Sequence, residues 1–308
     1  MIPKPESRRQ VLICANLFLS IIWGSELRAS GNENLRGEPA AVSYLPPKKL
    51  AELDNREIIE SSGLAPSRRQ ADVFWTHNDS GDKPRLFALD IHGQHLGTLK
   101  VDVKKAHDWE DIASFEMKGT PYLLIADVGK SRKKDAALKL HLIVEPDPYD
   151  IPRRIHPVKT VSFRFDGGRP DCESMAFDTL QQKVLLATKS DGFVSRIFEL
   201  DWPQDQSSKK LLARLVETID VPMAVAMDIS TESRYAIVLS YGGARLFPRN
   251  KSESWRETFS RSGIPVRMPT RRQGESICFG SHDLTLYLTS EKLPTPLFQV
   301  PVRESPAR

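Results

Sequence analysis

Residues 171–189 of the chain, DCESMAFDTLQQKVLLATK, contain a short apolar segment, a polar turn and a second segment rich in β-forming residues. This order predicts a β-hairpin with strands over 173–178 and 183–189 and a turn at 179–182. An antiparallel hairpin brings its two ends together. We therefore expect Glu173 and Lys189 to lie side by side at the open end of the hairpin.

The same pattern occurs five times along the chain. If Glu173 marks position zero of its copy, the residues at position zero in the five copies are Ser62, Glu110, Glu173, Val225 and Glu275. Successive residues of this set are 48, 63, 52 and 50 positions apart. In every copy the residue two positions on is apolar, and a second strand ends about sixteen residues on. A third strand follows each hairpin, at 85–89, 139–144, 196–200, 244–247 and 296–300.

Repeats of roughly fifty residues built from short strands are typical of a β-propeller, in which each repeat forms one blade. The five copies predict an all-β propeller of five blades; six blades is the alternative, because the longest interval leaves room for a degenerate copy. The last copy lacks a fourth strand, whereas residues 48–59 resemble one. We expect this N-terminal strand to complete the last blade, which removes the free edges of an open ring.

The sequence divides into a signal peptide over 1–29, a linker over 30–43, the propeller domain over 44–303 and a tail over 304–308. In the first segment, basic residues precede an apolar run at 11–23 that is too short to span a bilayer comfortably. Arg8 and Arg9 belong to a stretch that resembles a twin-arginine export signal. These features predict export to the periplasm or the cell exterior; the alternative is an uncleaved membrane anchor.

Removal of residues 1–29 deletes four basic and two acidic residues and lowers the net charge from +4 to +2. So small a charge argues against nucleic-acid binding. We expect a monomer whose mature chain does not insert into a membrane.

Three motifs occur in order along the first two copies: SSGLAPS at 61–67, WTHNDSGD at 75–82 and DWEDIA at 108–113. Together they resemble a family of exported bacterial β-propeller proteins that is loosely similar to phytase-like calcium-binding propellers. The resemblance covers about residues 58–300 and implies a propeller fold and export. The family carries no assigned reaction, so the resemblance leaves the function open. The fourth copy departs from the pattern, because Val225 stands where most copies have an acid.

The predicted fold gathers acidic residues at one end of the central channel, which we call the channel mouth. Strands that begin at position zero and strands that end near position sixteen must meet there. The mouth should therefore contain four glutamates as candidate metal ligands: Glu60, Glu110, Glu173 and Glu275. Candidate catalytic residues at the same end are Asp127 or Glu291 as the base, with Lys189 and His77 facing a substrate anion.

Clustered carboxylates repel one another unless a cation neutralises them. Oxygen ligands with few histidines or thiolates favour calcium. A purely structural role is the alternative, in which the glutamates accept hydrogen bonds from neighbouring blades or pair with Lys189.

Three classes of function fit this mouth. The first is a calcium-dependent hydrolase that acts on a phosphate ester or a lactone. The second is a glycoside hydrolase with paired carboxylates. The third is a non-catalytic propeller that binds a protein or a glycan across the mouth. The expected partner is a small-molecule or glycan ligand, and the sequence does not identify it.

Overall fold

A computed structural model describes residues 42–79, 81–104, 106–129, 138–190, 192–204 and 211–303. The predicted signal peptide at 1–29, most of the linker at 30–43 and the tail at 304–308 lie outside the described residues. Within them, no helix is long and apolar enough to cross a membrane.

The described chain is built almost entirely from short strands. In chain order the elements are β1 (Lys48–Glu52), β2 (Ser61–Pro66), β3 (Val73–Asn78), β4 (Arg85–Asp90), β5 (His95–Val101), β6 (Trp109–Met117), β7 (Thr120–Asp127), β8 (Leu138–Val144), β9 (Arg154–Ile155), β10 (Lys159–Phe165), β11 (Cys172–Asp178), β12 (Lys183–Thr188), β13 (Ser195–Asp201), β14 (Leu211–Ile219), β15 (Ala224–Ile229), β16 (Tyr235–Ser240), β17 (Gly243–Pro248), α1 (Trp255–Phe259), β18 (Ile264–Val266), β19 (Cys278–Phe279), β20 (Leu286–Leu288) and β21 (Pro296–Val300). The five predicted third strands are β4, β8, β13, β17 and β21.

Antiparallel pairing groups these strands into five sets of four. The sets are β2-β3-β4-β5, β6-β7-β8-β10, β11-β12-β13-β14, β15-β16-β17-β18 and β19-β20-β21-β1. In the last set β1 pairs with β21, from Lys48 opposite Gln299 to Glu52 opposite Pro296. The expected N-terminal closing strand is therefore confirmed. The count of five blades stays a prediction, because a parallel β10–β14 pairing joins two sets into one eight-stranded sheet.

The first strands of the sets form a closed ring, which is the arrangement of a β-propeller. Each contacts the first strand of the next set in the order β2, β6, β11, β15 and β19, and β19 contacts β2 again. The apolar cores lie between neighbouring sets: one contains Trp75 with Trp109, and another contains Phe115 stacked on Phe177 at 3.8 Å between ring centroids. Each set thus buries both faces against its neighbours.

Buried carboxylates connect the inner strands across the ring. Asp111 on β6 accepts hydrogen bonds from the backbone amides of Met175 at 2.9 Å and Met227 at 3.4 Å, on two other inner strands. Asp228 on β15 accepts one from Phe279 on β19 at 2.8 Å. Asp111 is almost fully buried and connects its own strand to two other inner strands.

Candidate functional site

The hairpins deliver their charged residues to the mouth as the sequence predicts. β11 and β12 pair from Cys172 opposite Thr188 to Asp178 opposite Lys183, so their open end carries Glu173 and Lys189. Lys189 Nζ lies 3.1 Å from Glu173 Oε2, which confirms the expected neighbours. Glu110 occupies the equivalent place on β6, and Asp79 follows the end of β3.

Two groups of three carboxyl side chains meet at Asp79. One group is Asp79, Asp108 and Glu110, and the other is Asp79, Glu275 and Glu291. In each group one oxygen from every member lies within 4.8 Å of the others, a spacing that can hold a metal ion. A crevice of about 10 Å³ separates the Asp79 loop from the Asp108 loop, which is room for about one water-sized particle.

Lys189 provides positive charge at one side of the mouth. Its Nζ also lies 3.7 Å from Glu275 Oε1 and 5.4 Å from the ring centroid of Tyr241. The Tyr241 hydroxyl donates a hydrogen bond to Glu275 Oε1. Burial alone would lower the pKa of Lys189, but Glu173, Tyr241 and Glu275 outweigh it and raise that pKa. The lysine thus stays charged and compensates Glu173 and Glu275.

The acids away from Lys189 hold protons more tightly than free carboxyl groups do. Burial, followed by the charges of Glu173 and Asp79, raises the pKa of Glu110 well above its usual range. Burial and the neighbouring Asp79 raise the pKa of Asp108 to about 7. Burial and a hydrogen bond with Glu275 raise the pKa of Glu291 to about 8. Burial is the main cause of all three shifts, and the neighbouring acids add to it.

Glu173 titrates closer to the usual range than the other crowded acids. Burial raises the pKa of Glu173, whereas Lys189 lowers it, and the balance is a value of about 6. Lys189 therefore already compensates the charge of the Glu173 carboxylate, and a bound metal ion would stabilise Glu173 less than Glu110.

Gly129 is a required glycine beside this cluster. A Cβ atom at this position would lie 1.8 Å from Glu110 Oε1 and 2.5 Å from Asp108 Oδ2. Any larger residue would push the two carboxylates apart. One oxygen of Asp108 is buried without a hydrogen-bond partner among the described residues. The absence of a side chain at Gly129 thus lets the carboxylates of Asp108 and Glu110 lie close together, and one Asp108 oxygen can still accept a hydrogen bond or bind a cation.

The predicted metal ligands divide into two kinds. Glu110 and Glu275 each belong to one of the two groups around Asp79. Glu173 pairs with Lys189, and Glu60 acts through its backbone, which forms a β-bridge with Glu291 and accepts a hydrogen bond from the Asp79 amide at 2.8 Å. The described residues do not bring the side chains of Glu60 and Glu173 into either group.

The four predicted catalytic residues lie in different environments. Glu291 and Lys189 face the cluster. Asp127 is buried and accepts hydrogen bonds from the amides of His107 and Asp108, so it holds the loop that carries Asp108. Burial raises the pKa of Asp127, but His141 and these amides outweigh it and lower that pKa, which makes Asp127 a weak base.

His77 is fully buried, with its ring at 89° to that of Trp109. Burial lowers the pKa of His77 to about 4, so its imidazole is neutral at pH 7. The ring fits because Gly63 on β2 has no side chain: a Cβ there would lie 2.5 Å from His77 Nε2. The structure therefore does not bring His77 into contact with a ligand in the mouth.

Asp79 and Asp108 complete the cluster, although the sequence pattern does not select them as ligands. Asp79 lies one residue beyond β3 in a segment that also fits a plain turn, and Asp108 lies one residue before β6. Their position immediately outside the strand ends is the signal that could have identified them, because such residues border the same mouth.

No protein-family model matches the chain, and no curated protein matches it. Among solved structures, the chain is similar to a chain from the crystal structure of a nidogen/laminin complex. The similarity covers 76% of this chain and 73% of that chain, with 11% sequence identity and a TM-score of 0.45. The fold assignment given above depends on the strand pairing of this chain alone.

Proposed function

We propose that the mouth binds one calcium ion between Asp79, Asp108 and Glu110 and hydrolyses a phosphate ester or a lactone beside it. The observation that carries this proposal is that two clusters, each of three carboxyl side chains, share Asp79. Lys189 compensates the Glu275 side, whereas Asp108 and Glu110 have only acids among the charges that shift their pKa values. A cation is therefore most favourable at Asp108 and Glu110.

The proposed ligands are all hard oxygen donors. Neither group contains a histidine or a cysteine, which favours calcium or magnesium over zinc or copper. Calcium accepts irregular and crowded oxygen sites, whereas magnesium demands a near-octahedral shell and gives up its waters reluctantly. When bound, calcium would polarise a phosphoryl or carbonyl oxygen of the substrate.

The Glu275–Glu291 pair supports the proton transfers of hydrolysis. The two carboxyl groups share a hydrogen bond, and Glu291 keeps its proton near neutral pH because its pKa is about 8. Glu291 can donate that proton to the leaving oxygen, while Glu275 accepts a proton from the attacking water. Lys189 and the Tyr241 hydroxyl hold Glu275 in place for this role.

The first test measures calcium binding and turnover in the same preparations. We expect Asp79→Asn to weaken calcium binding at least about tenfold by titration calorimetry, because it removes the negative charge and one of the two oxygens of a direct ligand. Glu291→Gln should keep calcium binding but lower kcat on p-nitrophenyl phosphate or dihydrocoumarin. The pH profile of kcat should also lose the titration that belongs to the Glu291 proton donor. The matched control is Glu232→Gln, an exposed acid in the turn between β15 and β16, at the other end of its hairpin.

The results of this test separate the three classes of function. Calcium-independent cleavage of p-nitrophenyl glycosides would favour a glycoside hydrolase instead. That class needs carboxyl groups roughly 5–9.5 Å apart, whereas Glu275 and Glu291 are in hydrogen-bond contact. Calcium binding without any turnover would favour the binding module. Equal calcium affinity in Asp79→Asn and wild type would contradict the proposed site.

Export through the N-terminal segment is a separate proposal. It depends on the basic residues, the short apolar run and the paired arginines of 1–29. We expect replacement of Arg8 and Arg9 by lysine to leave the protein in the cytoplasm, measured by fractionation of the producing cells. Unchanged export of this variant would exclude the twin-arginine route, and retention of the wild-type chain inside the cell would contradict export.

A further inference from the structure

A second cavity opens beside the acidic mouth, and the charged residues that line it are basic. Its volume is about 740 Å³, within the range of small-molecule sites. It is lined by the turn at 241–243 and by residues 266–271, 273 and 274, which precede β19. These lining residues include Arg267 and Arg271 but no aspartate or glutamate. We call this cavity the arginine pocket.

Arg271 is the most constrained charge in the arginine pocket. Among the residues that the structure describes, its Nε is buried and has no hydrogen-bond partner. Its Nη1 donates only a 3.3 Å hydrogen bond to the carbonyl of Pro269, two residues away. Burial lowers the pKa of Arg271 to about 10, and no charged group among the described residues offsets that shift. A partly buried guanidinium that has no anionic partner among the described residues is unfavourable, and an incoming anion would relieve that cost.

Gly274 fixes the position of this guanidinium. A Cβ atom on Gly274 would lie 1.7 Å from Arg271 Nε and 2.3 Å from its Cζ. Glycine thus lets the arginine lie flat against the backbone of its own loop. The arginine pocket also has an apolar wall that contains Val266 and Met268.

We propose that the arginine pocket binds an organic oxyanion, a carboxylate or phosphate group on a partly apolar body. The acid group pairs with Arg271, where planar guanidinium geometry matches two oxygens. Arg267 at the exposed rim attracts the anion, and the body lies against Val266 and Met268. This inference goes beyond the proposed hydrolysis and stands whether or not calcium binds.

Tyr241 connects the arginine pocket to the acidic mouth. It lines the pocket, and its hydroxyl donates to Glu275 Oε1 in the mouth. A molecule that extends from Arg271 past Tyr241 would therefore reach the side of the mouth that contains Glu275. If the mouth is catalytic, the pocket selects substrates that carry an anionic group away from the reacting bond.

The test compares three probes of similar size: benzoate, phenyl phosphate and the neutral benzyl alcohol. We expect both anions to bind wild-type protein in calorimetry, with and without chelator, and benzyl alcohol to bind at least about tenfold more weakly. Arg271→Gln should weaken anion binding at least about tenfold. Arg272→Gln is the matched control, because Arg272 is exposed and does not line the pocket.

Gly274→Ala provides a second variant, which keeps the Arg271 guanidinium but displaces it. We expect it to weaken binding of both anions like Arg271→Gln, with an unchanged circular dichroism spectrum. Equal binding of benzyl alcohol and the anions, equal affinity in Arg271→Gln and wild type, or no anion binding at millimolar concentration would each overturn the proposal. A response to phenyl phosphate alone narrows the ligand to phosphates, and a response to benzoate alone narrows it to carboxylates.

Discussion

Millimolar calcium should raise the melting temperature of the purified protein by roughly 5–10 °C at pH 8 and by much less at pH 5. A ligand at a hundredfold excess over its dissociation constant stabilises the fold by about 2.7 kcal/mol. For a domain of this size, each kcal/mol corresponds to roughly 2–4 °C in melting temperature. Differential scanning calorimetry with calcium and with chelator measures the difference directly.

The pH dependence follows from the direction of the pKa shifts in the metal-free protein. Burial and neighbouring acids raise the pKa of Glu291 from 4.5 to about 8 and that of Asp108 from 3.8 to about 7. Between the unfolded and folded values the folded chain holds protons that the unfolded chain has released. The metal-free fold therefore loses stability as the pH rises from about 4 to 8. Calcium binds the ionised carboxylates, so its stabilising effect grows over the same window.

Three variants in the mouth and one control variant make this prediction specific to the mouth. Glu110→Gln should abolish most of the calcium effect, because it removes the negative charge and one of the two oxygens of a proposed ligand. Gly129→Ala should do the same without removing any charge, since its Cβ would displace Glu110 and Asp108. Glu173→Gln should reduce the effect less, because that carboxylate already pairs with Lys189. Glu232→Gln should behave like wild type. Identical melting in chelator and in millimolar calcium at pH 8 would mean that the mouth is not a metal site.

Asp178→Ala should lower the free energy of unfolding by about 3–5 kcal/mol, because it leaves a buried cation without its partner. Asp178 is fully buried, and its Oδ2 lies 3.7 Å from Arg249 Nη1. The same oxygen accepts a 2.7 Å hydrogen bond from the indole of Trp255, and Oδ1 accepts one from Ser233 at 2.8 Å. This carboxylate thus joins the β11–β12 hairpin to the fourth set of strands.

Urea unfolding followed by tryptophan fluorescence measures this loss. Asp178→Asn keeps the volume of the side chain and one acceptor oxygen, but it removes the charge and replaces the other oxygen by a donor amide. Its stability should therefore lie between those of wild type and Asp178→Ala. Asp201→Ala is the control: its side chain is 72% exposed and 3.8 Å from Lys183, and such a surface pair contributes about 0–1 kcal/mol. A loss below about 1 kcal/mol in Asp178→Ala would show that Arg249 and Trp255 find other partners.

The sequence by itself determined the fold class, the hairpins and the end of the ring at which the acids collect. These features follow from local rules: alternation and turns define each hairpin, and antiparallel pairing dictates that Glu173 meets Lys189. The closing role of β1 was also predictable, because the last copy lacks a fourth strand and a ring leaves no free edge. Local pairing placed Lys189 beside Glu173 and β1 beside β21 as expected.

Only the tertiary structure decided which acids share a site and which are compensated. Asp79 meets Glu275 and Glu291 from a distant part of the sequence, because the ring closes between β19 and β2. Burial keeps His77 neutral at pH 7 and leaves Arg271 Nε without a hydrogen-bond partner among the described residues. The physical reason is that the pKa of a side chain depends on its desolvation and on the charged groups that neighbouring sets of strands place beside it. Strand periodicity places a residue along its strand, whereas the packing of the five sets determines its electrostatic environment.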